Sequence, residues 1–260
     1  MVKQGTNILK EHKNKKLDFN AKLQQINFLD QRVYKRDEDK YYPSVTSILN
    51  YMPKGKFFET WLKDVGHNAD IIMNKAGREG TQVHEAAEAL LKGEEVNWMD
   101  DFGNAKYSQL VWTMINKFAE FWKQFDGKLI ACEKFTYSDE YEYAGTADLV
   151  VEKDGKRWLL DIKTSTAIHK SYHLQLGAYA KAWEEVYGEK IDHTGIIWLK
   201  SSKRGESKQE GKYQGKGWEL AQIDNIDYNF DLFLTIYKLY KMEHPEIKPV
   251  YATLPTSVKL

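Results

Sequence analysis

The stretch Lys153-Asp154-Gly155-Lys156 does most to fix what this chain can fold into, because it sets Asp-Gly between two β-branched, aromatic-rich runs. A two-residue type I′ turn needs positive φ at both central residues. Glycine adopts it freely and aspartate tolerates it, so Asp-Gly between extended runs predicts a tight hairpin. Register follows by counting. With Asp154 and Gly155 as the loop, Lys153 pairs with Lys156, Val151 with Trp158 and Leu149 with Leu160, and Asp148 falls opposite Asp161. Opposed residues share a face, so both carboxylates lie on one side of the hairpin, with Lys163 two residues beyond Asp161 on that side. Ala147, Leu149, Val151, Trp158, Leu160 and Ile162 are expected to form the other face.

Like charges directly opposed, with β-carbons about 5 Å apart, destabilise a strand pair unless a cation lies between them. Oxygen ligands on a rigid hairpin suit Mg²⁺ or Mn²⁺, which takes one or two carboxylates and fills its other positions with water and phosphate oxygens. That chemistry points to phosphodiester hydrolysis. The structural alternative is that Asp148 ends a strand and Asp161 pairs with Lys163 or another cation. The opposed register, the lysine and the apolar surroundings together favour a site.

These residues resemble the active site of the PD-(D/E)XK nuclease superfamily, with Asp148 on one strand and Asp161-Ile162-Lys163 on the next. The continuation HLQLGAYAKAWEE, with Gln175 and Tyr179 four apart, and the upstream GREGTQVHEAAEALL, with His84, are similar to the RecB-like branch. YYPSVTSILNYMPKG looks like the entry of the mitochondrial genome maintenance exonuclease family and related phage exonucleases. The resemblance covers roughly residues 41 to 200. It implies a restriction-endonuclease-like α/β core, a central mixed sheet flanked by helices with N-terminal helical additions. It also implies a Mg²⁺- or Mn²⁺-dependent DNA exonuclease acting on single-stranded ends in replication, repair or recombination. Asp148, Asp161 and the backbone carbonyl of Ile162 would hold metal, His84 would join or support them, and Lys163 would position or deprotonate the nucleophile or stabilise the developing charge. Gln175 and Tyr179 would face the site and bind the strand, and Thr164 and Ser165 would donate to phosphate or cap the following helix. Branch members with an iron–sulfur cluster supply four cysteines, and Cys132 is the only cysteine in this chain, so no cluster is expected. A structure-selective endonuclease and a non-catalytic DNA-binding relative remain as alternatives.

The rest of the chain narrows the setting. One cysteine excludes a disulfide framework and fits a reducing compartment, and Cys132 reads as a small core residue. No apolar run approaches bilayer length and the first residues lack the apolar segment of a secretory signal, so a cytoplasmic protein without membrane contact is expected, in the host cytoplasm if phage-encoded. Formal net charge is zero, so any contact with DNA must be local. The Lys-, Gly- and Ser-rich segment 199 to 218 is the best candidate, with a solvated hairpin loop the plainer reading, and the Lys-rich N-terminus is read the same way.

Residues 1–260 read as one nuclease domain: a helical part about 44–126, a core about 129–223, and a C-terminal helix and tail 226–260. An extended hairpin precedes a short helix after Pro43, then one or two helices, with Thr81 capping the helix that carries His84. Strands are expected at 129–137, 143–151, 157–163, 194–199 and 217–223, with helices at 106–126, 169–187 and 226–243. Glu133 is taken as an exposed strand glutamate, with an acidic cluster around Asp148 as the alternative.

Overall fold

The computed structural model describes residues 23–28, 31–199, 217–249, 255 and 257–259. The Lys-rich N-terminus and nearly all of the 199 to 218 segment, two candidate DNA contacts, lie outside the described residues. Five strands, β4 (Lys128–Ser138), β5 (Tyr143–Lys153), β6 (Lys156–Lys163), β7 (His193–Trp198) and β8 (Glu219–Ile223), form one sheet in chain order. The turn between β5 and β6 has Asp154 at φ 52° and Gly155 at φ 69°, and the ladder pairs Lys153 with Lys156 and Leu149 with Leu160, as counted from the sequence. Only β6 and β7 are parallel. A parallel neighbour needs a crossover, supplied by helix α5 (Lys170–Tyr187).

Helices cover both faces of this mixed sheet. On one side α5 packs with α1 (Val45–Leu49) and α6 (Ile226–Glu243) over Val150, Leu159 and Ile196. Gly177 lets α5 and α6 touch, since a Cβ there would meet Phe230 N at 2.8 Å. On the other side α3 (Ala69–Leu91) and α4 (Gln109–Phe125) cover Leu149, Val151, Leu160, Ile162 and Ile197. Each such aliphatic side chain contributes about 1.5–3 kcal/mol by burial. Val111, Ile115 and Phe118 of α4 are buried at helical spacing, as the periodicity predicts. Helix α2 (Lys56–Val65) joins α1 to α3 through a short 3-10 turn at Gly66–Asn68. A second sheet, β1 (Gln24–Phe28), β2 (Gln31–Lys35) and β3 (Tyr41–Pro43), packs Tyr34 and Tyr42 on Ala144 of β5. Among the described residues no helix is long and apolar enough to cross a membrane.

Two local expectations are corrected. Thr81 caps nothing: α3 begins at Ala69 and runs through Gly77 and Gly80, and the Thr81 hydroxyl donates to Gly77 O at 3.2 Å inside the helix. Gly80 marks a close approach rather than a helix start, since a Cβ there would stand 3.3 Å from Thr164 Oγ1. Ala147 does not share a face with Leu149. It packs on the α5 side while Leu149 packs on the α4 side, so simple alternation breaks at Asp148. Cys132 is half-buried against the α4 side, where burial pushes its thiol up to about 12.

Candidate metal centre and active site

The site is built where three strands lose their regular pairing. The β5–β6 ladder reaches Leu149↔Leu160, and one step further the Asp148 Oδ2 accepts from the Ile162 N–H at 2.8 Å. A carboxylate has taken the place of a strand carbonyl, and the strands part around it. On the other edge of β5, the pairs Cys132↔Leu149 and Lys134↔Ala147 flank Glu133, whose φ is 46°. Left-handed backbone at a glutamate costs of order 1 kcal/mol and persists only where its surroundings hold it.

His84 reaches this point from α3. Its Nε2 lies 3.1 Å from Ile162 O, and its Nδ1 lies 3.5 Å from both Glu133 Oε1 and Asp148 Oδ2. His84, Glu133 and Asp148 each bring one ligand atom within 4.8 Å of the others. Glu133 therefore belongs beside the site rather than in solvent. The sequence signal for it was weak, because the irregular backbone that turns Glu133 inward leaves no mark in residue periodicity.

Asp161 is 1% exposed and its Oδ2 lies 2.7 Å from Lys163 Nζ. The charges touch, yet neither carboxylate oxygen accepts a well-formed hydrogen bond. Burial raises the Asp161 carboxyl pKa against the pull of Lys163, and the charge of Asp148 adds to the rise. Burial raises Asp148 too, opposed by His84 and helped by Glu133. Desolvation, more than the repulsion inferred from the opposed register, is thus what makes these charges costly. Burial would lower His84, but Asp148 and then Glu133 carry it up to about 9.

On the α5 side Lys163 Nζ donates to Gln175 Oε1 at 3.1 Å, and Gln175 Nε2 donates to the Tyr179 hydroxyl at 3.2 Å. Tyr179 is buried, its ring against Gly145, where a Cβ would come within 2.3 Å of the ring. The helical spacing thus does put Gln175 and Tyr179 on the face toward Lys163, but as a buried relay behind it with no exposed ring. Ser165 Oγ donates to Ala167 O at 2.7 Å, and α5 is preceded by His169 without a side-chain cap, so neither Thr164 nor Ser165 caps that helix. A cleft of about 590 Å³ opens in front of Lys163, lined also by Lys54, Phe58, His169, Lys170 and Tyr172.

The donor set fits a divalent ion. His84 Nε2 and Ile162 O lie 3.1 Å apart, and His84, Glu133 and Asp148 bring ligand atoms within 4.8 Å of one another, close enough to share one ion. Asp161 offers buried oxygens with Lys163 beside one of them, and Asp148 spends one oxygen on Ile162 and keeps the other.

Residues 53–228 match the sequence model of the PD-(D/E)XK nuclease superfamily, more than half of the chain. No curated protein matches. Among solved structures the chain is similar to a protein from Eubacterium rectale described as a candidate exonuclease, with 12% identity and a TM-score of 0.41 over 68% of this chain and 72% of that one.

Proposed function

The chain belongs to the PD-(D/E)XK nuclease superfamily, and from that premise we propose that it is a Mg²⁺- or Mn²⁺-dependent exonuclease of the RecB-like branch, acting on single-stranded DNA ends. The observation that carries the reading is Asp161. A carboxylate 1% exposed, with no partner beyond Lys163 among the described residues, is a costly structural element and a good metal ligand. Residues 1–260 are read as one domain, supported by two apolar cores that share one sheet.

When bound, the ion supplies a water of lowered pKa and offsets charge developing on the phosphoryl oxygens. Asp148, Asp161, the Ile162 carbonyl and His84 hold it. Glu133 faces His84 Nδ1, where a carboxylate fixes the tautomer and leaves Nε2 for the metal side. Lys163, steadied by Asp161 and Gln175, presents its amine to the cleft, where it orients the attacking water or meets the phosphoryl oxygens. Thr164 and Ser165 follow the end of the strand at Lys163, and in this reading they lie beside the substrate phosphate. Pathway and cellular setting follow from the same reading: DNA replication, repair or recombination in the cytoplasm of a cell or of a phage host.

End-labelled single-stranded, duplex and circular DNA, each with Mg²⁺, Mn²⁺, Ca²⁺ or EDTA, tests the proposal. Release of mononucleotides or short products from linear single strands, with circles intact, is expected. Linearised circles would point instead to an endonuclease on the same core, and no cleavage with any metal would end the nuclease reading.

Replacing His84 by Ala should raise the metal concentration needed for half-maximal activity by about 10- to 100-fold without unfolding the protein in EDTA. A fall in melting temperature with unaltered metal dependence would make His84 a packing residue instead.

Metal binding should also depend on pH in a stated direction. In metal-free protein the two carboxyls and His84 all have raised pKa values. The folded state therefore holds protons that the unfolded chain releases, and their contribution to stability falls as pH rises through the carboxylate range and again from 6.5 to about 9. Ligation requires those protons to leave. The rise in melting temperature on adding Mg²⁺ should be larger at pH 8 than at pH 5.5, and an equal rise at both would contradict the ligand assignment.

A further inference from the structure

Helix α2 has the residues of an amphipathic helix, Phe58, Trp61, Leu62 and Val65 at helical spacing, and none of its residues is buried. Phe57 is 95% exposed, and Phe58 stacks with Trp61 at 5.6 Å between centroids and 29° between planes. A helix with this pattern ordinarily packs its apolar face against a core. Here Phe58, Trp61, Leu62 and Val65 are only half-buried, which leaves part of each ring or side chain open to a ligand. Lys54, Lys56 and Lys63 interleave with the aromatics, alongside Glu59 and Asp64. Lys54 and Phe58 line the same cleft as His169, Lys170, Tyr172 and Lys163. Lys163 Nζ itself sits 4.6 Å from the centre of the Tyr172 ring.

We propose that α2 is a stacking platform for single-stranded nucleic acid: bases rest on Phe58 and Trp61, and phosphates pass Lys54 and Lys170 on the way to Lys163. This rests on the nuclease reading above and adds to it how the strand is held. Aromatic faces interleaved with lysines suit an unpaired strand, because every base has a ring face to stack and every linkage a charge to neutralise. A duplex keeps its base faces inside. An apolar protein partner would account for the aromatics but not for the lysines or for continuity with Lys163.

The test uses the full chain with Phe58→Ala, Trp61→Ala and the double variant. Affinity for a fluorescein-labelled thymidine 12-mer is measured by anisotropy in EDTA. Cleavage of the 12-mer and of bis(p-nitrophenyl) phosphate is measured with Mn²⁺. Each substitution should weaken binding of the 12-mer and raise its KM by about 5- to 150-fold, and Trp61→Phe should restore most of the loss. Hydrolysis of the small diester by Trp61→Ala should change by less than about twofold, since Trp61 does not line the cleft in front of Lys163. The Lys54→Ala, Lys170→Ala pair should lower the slope of log affinity against log salt by about 1.4. That measurement decides the matter even if an aromatic variant misfolds. Unchanged affinity in the double variant with an unchanged salt slope in the lysine pair, or equal losses on both substrates, would overturn the proposal. So would a dimer that dissociates in the variants while strand affinity stays constant. A wild type that binds the 12-mer through these residues but cleaves nothing would refute the nuclease reading and leave the platform standing.

Discussion

Lys163→Ala is expected to reduce cleavage by about 10²- to 10³-fold or more while leaving metal binding largely intact. The amine lies 2.7 Å from Asp161 and 3.1 Å from Gln175, at the inner end of the cleft, so its loss removes a charge at the reacting centre and no metal ligand. The decrease should fall on kcat at saturating metal, with single-strand affinity in EDTA lowered only by the loss of one phosphate contact. Single-turnover cleavage of an end-labelled strand, with a metal titration followed by thermal melts, reads both quantities. Turnover within tenfold of wild type would remove Lys163 from the mechanism. Gln175→Ala offers a companion measurement, because it loosens the lysine without deleting it, and its activity should lie between the two.

Asp161→Asn should separate stability from activity. Burial already disfavours the charged carboxyl, so a neutral isostere should leave the EDTA-treated protein at least as stable as wild type. The variant should nevertheless be inactive and gain little from metal. Wild type, by contrast, should melt about 5–10 °C higher at a hundredfold excess of Mg²⁺ over its Kd. The competing outcome is defined by the 2.7 Å contact with Lys163. If the pair is structural, removing one partner leaves a buried ammonium uncompensated and costs about 3–5 kcal/mol. A large drop in the melting temperature of metal-free Asp161→Asn would therefore assign the carboxylate to the lysine rather than to a metal.

What could be read from the sequence was whatever depends on local rules. The Asp154-Gly155 turn has one short geometry, so the β5–β6 register could be counted as far as Leu149↔Leu160, one step short of the expected Asp148–Asp161 pair, where Asp148 turns to the Ile162 N–H instead. The helices α4, α5 and α6 were legible from their apolar spacing and fall within a few residues of the expected bounds. Features that depend on irregular backbone were not legible. The positive φ of Glu133 and the break of alternation at Asp148 change which face a residue serves, and neither has a sequence signature. Thr81 failed as a cap for a related reason. Gly77 and Gly80 look like punctuation in a sequence, but both lie inside the helix, and Gly80 keeps its surface clear for Thr164 just past β6. The incomplete burial of the apolar face of α2 was not legible either, because apolar periodicity predicts burial and says nothing about how far a partner covers it.

The contact between Gly145 and Tyr179 has a consequence for recognising relatives of this chain. The ring occupies the volume in which any side chain at position 145 would begin, 2.3 Å from its Cβ. The two positions lie on different elements, 34 residues apart, and share one space. In a homologue they should covary, with a residue larger than glycine at 145 accompanied by one smaller than tyrosine at 179. Where 179 shrinks, the support behind the lysine must be rebuilt from another direction. A pair of substitutions here, rather than at the carboxylates, would then mark the point at which one lineage of these enzymes diverged from another.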